Sequence, residues 1–153
     1  MTKFFDSFVS FKSGQMWIHD TGTIGNFYAE ITRPSVKFVI GQPGIPIDWF
    51  SMRLSSFKKW WIPLIEVPPT QNLPNGMKSR ITENRFTSDE GYWWASLLND
   101  YTDPYITGTE VEKLFKGRKL KSSILIVTAE CAQDEQTTLR EVAISVAASP
   151  ETL

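Results

Sequence analysis

Asp48-Trp-Phe-Ser-Met-Arg-Leu-Ser-Ser-Phe-Lys-Lys-Trp-Trp61 admits two readings that lead to different architectures. As a helix, Phe50, Leu54, Phe57 and Trp61 make one stripe at spacings of four, three and four, with Asp48 available as N-cap. As a strand, Phe50, Met52 and Leu54 alternate with Ser51, Arg53 and Ser55. Periodicity does not separate the two. The working reading is a strand followed by an irregular turn, with the helix left open.

Upstream the chain reads as β-structure. Phe5, Ser7, Val9 and Phe11 alternate with Asp6, Phe8, Ser10 and Lys12, and Met16-Trp17-Ile18 runs towards the turn signal Asp20-Thr21-Gly22. Phe27 to Thr32 and Val36 to Ile40 follow on either side of Pro34. Short β-branched and aromatic runs with Gly or Pro punctuation suggest a meander, closed by Gly41-Gln42-Pro43-Gly44. Downstream, Pro63, Pro68, Pro69, Pro74 and Asn75-Gly76 mark roughly fifteen residues of loop.

Two short helices are expected next. Thr87-Ser88-Asp89-Glu90 has the form of a capping box ahead of Tyr92 to Leu98. Thr109-Glu110-Val111-Glu112 has it again, and Gly117 suits the end of that helix. Asp103-Pro104 forces a turn between them. The last block reads as a β-hairpin, residues 120–130 returning through 138–147, where Arg140, Val142, Ile144 and Val146 alternate with Glu141, Ala143 and Ser145. Its alanines leave a helix over 137–148 as the alternative. The expected fold is therefore one β-rich α+β domain over residues 1–153. It would be a small antiparallel sheet or a partly open oligonucleotide-binding (OB)-like barrel, with two short helices and a C-terminal β-hairpin.

Bulk properties narrow the classes. The chain has 153 residues, enough to bury a core without covalent staples. A single cysteine, Cys131, rules out an internal disulfide framework and a multi-thiolate zinc site. The longest strongly apolar run, Ile124 to Val127, is too short to cross a bilayer, and Asp6 and Ser7 interrupt the apolar start. A cytoplasmic protein with no membrane association is expected. The net charge of −1 conceals an asymmetry: residues 53–121 hold eleven basic and eight acidic side chains, residues 122–153 one basic and five acidic. A basic middle can attract phosphate although the whole is neutral.

Catalytic chemistry finds little support. The only histidine, His19, has no nucleophile elbow to serve, and Cys131 lies near Glu130, Asp134 and Glu135, which disfavour a thiolate. The carboxylates of Asp89, Glu90, Glu110 and Glu112 suit helix N-termini, and Asp100 and Asp103 suit a helix end and a turn. No phosphate-binding glycine loop is present. No enzyme activity, cofactor or metal is expected.

Binding finds more. Six tryptophans include two adjacent pairs, Trp60-Trp61 and Trp93-Trp94, and neighbours on a strand or helix point in different directions. Each pair should place one indole in a core and the other in a less buried position. Lys58 and Lys59 precede one pair, and Lys113 to Lys121 carries five positive charges around Phe115. Cations that follow phosphates beside rings that stack bases are how single strands are held. The expected site is Trp60, Trp61, Trp93 and Trp94 for stacking, with Lys58, Lys59, Arg118, Lys119 and Lys121 for phosphate. The expected partner is single-stranded DNA or RNA. The alternative is a protein–protein interaction module, such as an inhibitor, immunity or assembly factor of a mobile element. It would engage a protein through the aromatic surface or the acidic C-terminal third. A plainer explanation is core packing for the aromatics and helix-end complementarity for the lysines.

Overall fold

In a computed structural model of the chain, which describes residues 9–18, 26–27, 30–31, 33–131 and 138–149, residues 48–61 are strand, turn and strand. The order is β1 (Val9–Lys12), β2 (Gln15–Ile18), β3 (Asn26–Phe27), β4 (Glu30–Ile31), β5 (Ser35–Gly41), β6 (Ile47–Ser56), β7 (Trp60–Val67), β8 (Met77–Ile81), β9 (Thr87–Asp89), β10 (Tyr92–Ser96), α1 (Glu110–Lys116), β11 (Lys121–Ser122), β12 (Ile124–Cys131) and β13 (Leu139–Ala148). In β6, Met52, Leu54 and Ser56 are buried while Arg53 and Ser55 point outward. The helical stripe is broken, because Leu54 is buried and both Phe50 and Phe57 are exposed.

Two antiparallel sheets build the body. In the first, β6 pairs along its length with β13, and its other edge takes β10 and then β11, with β9 outside β10. In the second the order is β5-β12-β7-β8. One face of each sheet is apolar. Met52, Leu54 and Ala95 from the first sheet join Ile62, Ile65, Ile81, Leu125 and Val127 from the second in a single buried cluster. The sheets therefore stack as two layers on a shared core. No strand pairing among the described residues joins one sheet to the other, so the sheets are open; an antiparallel sheet was expected, while the partly open OB-like barrel given as its alternative is not confirmed.

The β-rich expectation holds, with four corrections. Residues 87–96 are a hairpin, not a helix: Tyr92 pairs with Asp89 across Glu90 (φ 48°) and Gly91 (φ 82°). Two consecutive left-handed residues define a tight hairpin turn whose twist suits the strands, and Trp93 to Ser96 then complete the edge of β6. The capping-box pattern was a coincidence of residue types at a site where aromatic β-formers and tertiary pairing dominate. The second box is real. Thr109 Oγ1 accepts from the Glu112 N–H at 3.3 Å, and Glu112 Oε2 accepts from the Thr109 N–H at 2.8 Å, leaving one α-helix among the described residues where two helices were expected.

The C-terminal strands exist but do not form a hairpin. Both edges of β12 are already taken, by β5 and β7, so β13 crosses to the other sheet and pairs with β6. The first forty residues likewise do not run as one meander: β1 pairs with β2 and β3 with β4, while β5 pairs with the distant β12. Pro63 is not loop but lies inside β7. The registers to β8 and to β12 both shift beside it, which spares a residue without an N–H from supplying a ladder bond.

Candidate functional site

Alternation in the strands sorts the tryptophans as their pairing suggested. In β7, Trp60 turns into the core at 5% exposure, and Trp61 lies half-buried on the outer face of the second sheet, opposite Glu130. In β10, Trp93 packs against the core, and its Nε1 donates to the Ser56 carbonyl at 3.2 Å. Trp94 stands on the outer face of the first sheet, 37% exposed. Trp60 is thus a core residue and offers no surface for stacking, and Trp61 and Trp94 face opposite sides of the molecule.

The basic residues do not converge either. Lys121 pairs with Asp48 at the start of β6, whereas Lys58 and Lys59 follow its last residue, Ser56. At about 3.4 Å per residue the two groups lie roughly 27 Å apart along the strand. Lys119 is exposed beside Arg118, near the start of β6 with Lys121. The Arg118 guanidinium is committed inward: Nη2 donates to Asp100 Oδ2 at 2.9 Å, and Nε stands 3.5 Å from Asp103 Oδ2, an ion pair without hydrogen-bond alignment.

That inward commitment explains Asp100 and Asp103, both essentially fully buried. Asp100 Oδ1 accepts from the Lys78 N–H (3.0 Å), the Thr102 N–H (2.9 Å) and the Thr102 hydroxyl (2.6 Å). Asp103 accepts from the N–H groups of Tyr105 and Arg118, each at 2.9 Å. Burial pushes the Asp100 carboxyl up, but the Thr102 hydroxyl, the Lys78 and Thr102 N–H groups and Arg118 outweigh it and hold the group below its ordinary value. These carboxylates fasten the loop between β10 and α1 to β8 and to the entry of β11. Among the described residues no three His, Cys, Asp or Glu side chains are placed to hold a metal, and no helix is long and apolar enough to cross a membrane. Cys131 is buried in the core, and His19 lies outside the described residues.

What the fold does assemble is an aromatic and cationic cluster at the outer face and far end of the first sheet. Cross-strand register sets Arg53 directly opposite Trp94, with Tyr92 two residues along on the same face. The Arg53 guanidinium lies 4.4 Å from the Tyr92 ring centroid and 5.5 Å from that of Trp94, and it pairs with Glu141 from β13. At the turn after β6, Lys59 Nζ sits 5.3 Å from the Trp93 ring. There too, Arg140 lies 4.6 Å from Phe57, a ring 74% exposed. Guanidinium groups over aromatic faces keep their charge while their apolar planes are covered, so each ring is held in place with another face or edge open to solvent.

Of the expected site residues, Lys59, Trp93 and Trp94 belong to this cluster, and Lys58 is exposed in the same turn after β6. Arg53, Phe57, Tyr92 and Arg140 were missed. Alternation places Arg53 and Trp94 on outward positions of their strands, but only the register of β10 on β6 makes them neighbours. Compared with known proteins, the chain matches no family model, and no curated protein is detectably similar to it in sequence.

Proposed function

We propose that the protein is a non-catalytic binding module that holds single-stranded nucleic acid on the aromatic and cationic end of its first sheet. Trp94 and Phe57 would stack bases. Arg53, Lys58, Lys59 and Arg140 would lie along the phosphates. The observation that carries this reading is the alternation of cation and ring across three strands and a turn, Arg53 with Tyr92 and Trp94, Lys59 with Trp93, and Arg140 with Phe57. Stacking supplies sequence-tolerant affinity and the cations supply a salt-dependent term, so little base specificity is expected.

A second reading is favoured by one observation. Glu141 cancels the charge of Arg53 at the centre of the cluster, and a neutralised arginine flanked by Tyr and Trp also suits a protein interface. Salt separates the two. Tryptophan fluorescence titrated with a mixed-sequence single-stranded oligonucleotide should show saturable quenching at low salt that is lost at moderate salt. Trp94→Ala should weaken it, and Lys119→Glu, at the remote end, should not. No quenching at low salt would remove the nucleic-acid reading and leave the protein interface, to be sought by affinity capture.

A further inference from the structure

Strand β13 has one edge filled and one edge open. Its inner edge pairs with β6 along nearly its whole length, and among the described residues no strand pairs with its outer edge. Val142 to Ser149 carries no charge, no proline and no glycine. Ser145, Val146, Ala147 and Ala148 are all exposed. The run is also regular. The two register shifts against β6 add Arg140 ahead of it in β13 and Phe50 in β6, so neither extra residue falls within 142–148.

The other outer edges among the described residues are short, charged or covered. Strands β1 to β4 run two to four residues, β9 has three and ends on Asp89, and β11 has two. On β8, the Lys78 carbonyl accepts from the Tyr101 N–H at 2.9 Å and the Lys78 N–H donates to Asp100 Oδ1 at 3.0 Å, so the loop after β10 lies over that edge. Strand β5 carries Lys37 near its middle and ends on Gly41 at φ 127°. Shortness, charge and cover are the means by which sheets avoid edge-to-edge pairing. A long, uncharged edge that lacks all three is a template for another strand.

We infer that this edge takes a second copy of the chain, two β13 strands pairing antiparallel about a two-fold axis at Ser145 so that the first sheets of two molecules become one. Charge sets the register. With Ser145 opposite its twin, Ile144 faces Val146, Ala143 faces Ala147 and Val142 faces Ala148. Arg140 and Glu141 of each copy then lie beyond the uncharged run, at opposite ends of the interface, and no like charges meet. The pairing uses up the one edge of this kind among the described residues, so it closes at two copies. Seven paired residues span about 24 Å, and in a sheet about 10 Å thick they bury roughly 500 Å² in total. That area is small, but about seven main-chain hydrogen bonds cross it, far denser than the usual one per roughly 100–200 Å². A reversible dimer follows, not a permanent one. The inference rests on the edge alone, so it and the nucleic-acid reading can fail separately.

Sedimentation velocity of the full chain from about 1 μM to about 1 mM should show a single monomer–dimer equilibrium, with a Kd of roughly 10–100 μM. Ser145 is exposed, so Ser145→Lys and Ser145→Glu should leave the thermal midpoint unchanged. Each sets like charges against one another at the axis and should weaken self-association at least about tenfold. Mixing the two variants in equal amounts should restore association, because Lys then faces Glu. A chain that stays monomeric throughout would overturn the assignment and leave the edge to an extended segment of another protein. Dimers untouched by either variant, no recovery on mixing, or growth beyond two copies would each overturn it as well. If either variant fails to fold, isotope-filtered NMR on mixed labelled and unlabelled wild-type chains still decides, by whether Ile144 and Val146 touch between copies.

Discussion

Replacing Asp100 with asparagine should cost the protein about 2–3 kcal/mol, and the pH dependence of that cost tests its cause. The substitution preserves shape and leaves an oxygen to accept from the Lys78 N–H, the Thr102 N–H and the Thr102 hydroxyl. It removes the carboxylate oxygen that accepts from Arg118 Nη2 and sets an amide NH₂ against that donor. Hydrogen bonds to charged groups contribute about 1.5–3 kcal/mol, and breaking a fully buried ion pair costs about 3–5 kcal/mol. Arg118 is one-third exposed and still has Asp103 within reach, so the lower part of that range applies. For a domain of this size about 2–3 kcal/mol corresponds to a fall in Tm of about 5–10 °C. Urea unfolding followed by tryptophan fluorescence would read it directly.

The sign with pH is fixed by the Asp100 carboxyl. In the unfolded chain it titrates near its ordinary value of 3.8, and in the folded protein it is held lower. Between those two values the unfolded chain binds more protons, so wild-type stability rises with pH there. The contribution is fully present above the unfolded value and is lost as pH falls through the folded one. Asp100→Asn lacks that group. The gap between wild type and variant should therefore be full at pH 6 and narrow steadily below about pH 4. A gap under about 0.5 kcal/mol at pH 6, or one that stays constant into acid, would refute the account.

Three further outcomes follow from particular contacts. Trp60→Ala, in the core, should cost about 3–5 kcal/mol, whereas Trp94→Ala should cost under about 1 kcal/mol while weakening oligonucleotide binding, and chemical denaturation beside fluorescence titration separates the two. Gly117→Ala should destabilise by about 1–3 kcal/mol, because its Cβ would meet the Asp100 and Lys113 carbonyl oxygens at 2.3 and 2.6 Å; a neutral result in urea would contradict the close approach. Glu141→Gln should tighten oligonucleotide binding and steepen its salt dependence by about one counterion, since Arg53 would then face the phosphates without its partner. An unchanged salt slope would take Arg53 out of the binding surface.

The contrast between the two capping-box sequences shows how far local pattern carries. Thr109 to Glu112 forms the box because that segment is a solvent-exposed connection where the two side chains meet no stronger claim. Thr87 to Glu90 presents the same residue types, but Gly91 can follow Glu90 into the left-handed region, and the four residues Trp93 to Ser96 pair with the edge of β6. A similar limit governs the site. That one indole of each pair would face the core was legible from adjacency, since neighbours on a strand or a helix point in different directions. Which exposed indole would meet which arginine was not, because Arg53 and Trp94 are brought together only by strand register.

The amino-acid sequence by itself determined the β-rich character, the individual strands of the C-terminal block, the one true helix with its cap, and the division of each tryptophan pair between inside and outside. All of these rest on interactions spanning a few residues: side-chain period, turn chemistry and capping. The tertiary structure alone decided that β12 and β13 belong to different sheets, that Arg118 turns inward to Asp100 and Asp103, and that the two basic segments stand at opposite ends of β6. Those outcomes depend on which edges are free when strands pair and on which carboxylates are left buried without a cation, quantities that exist only once distant parts of the chain have met.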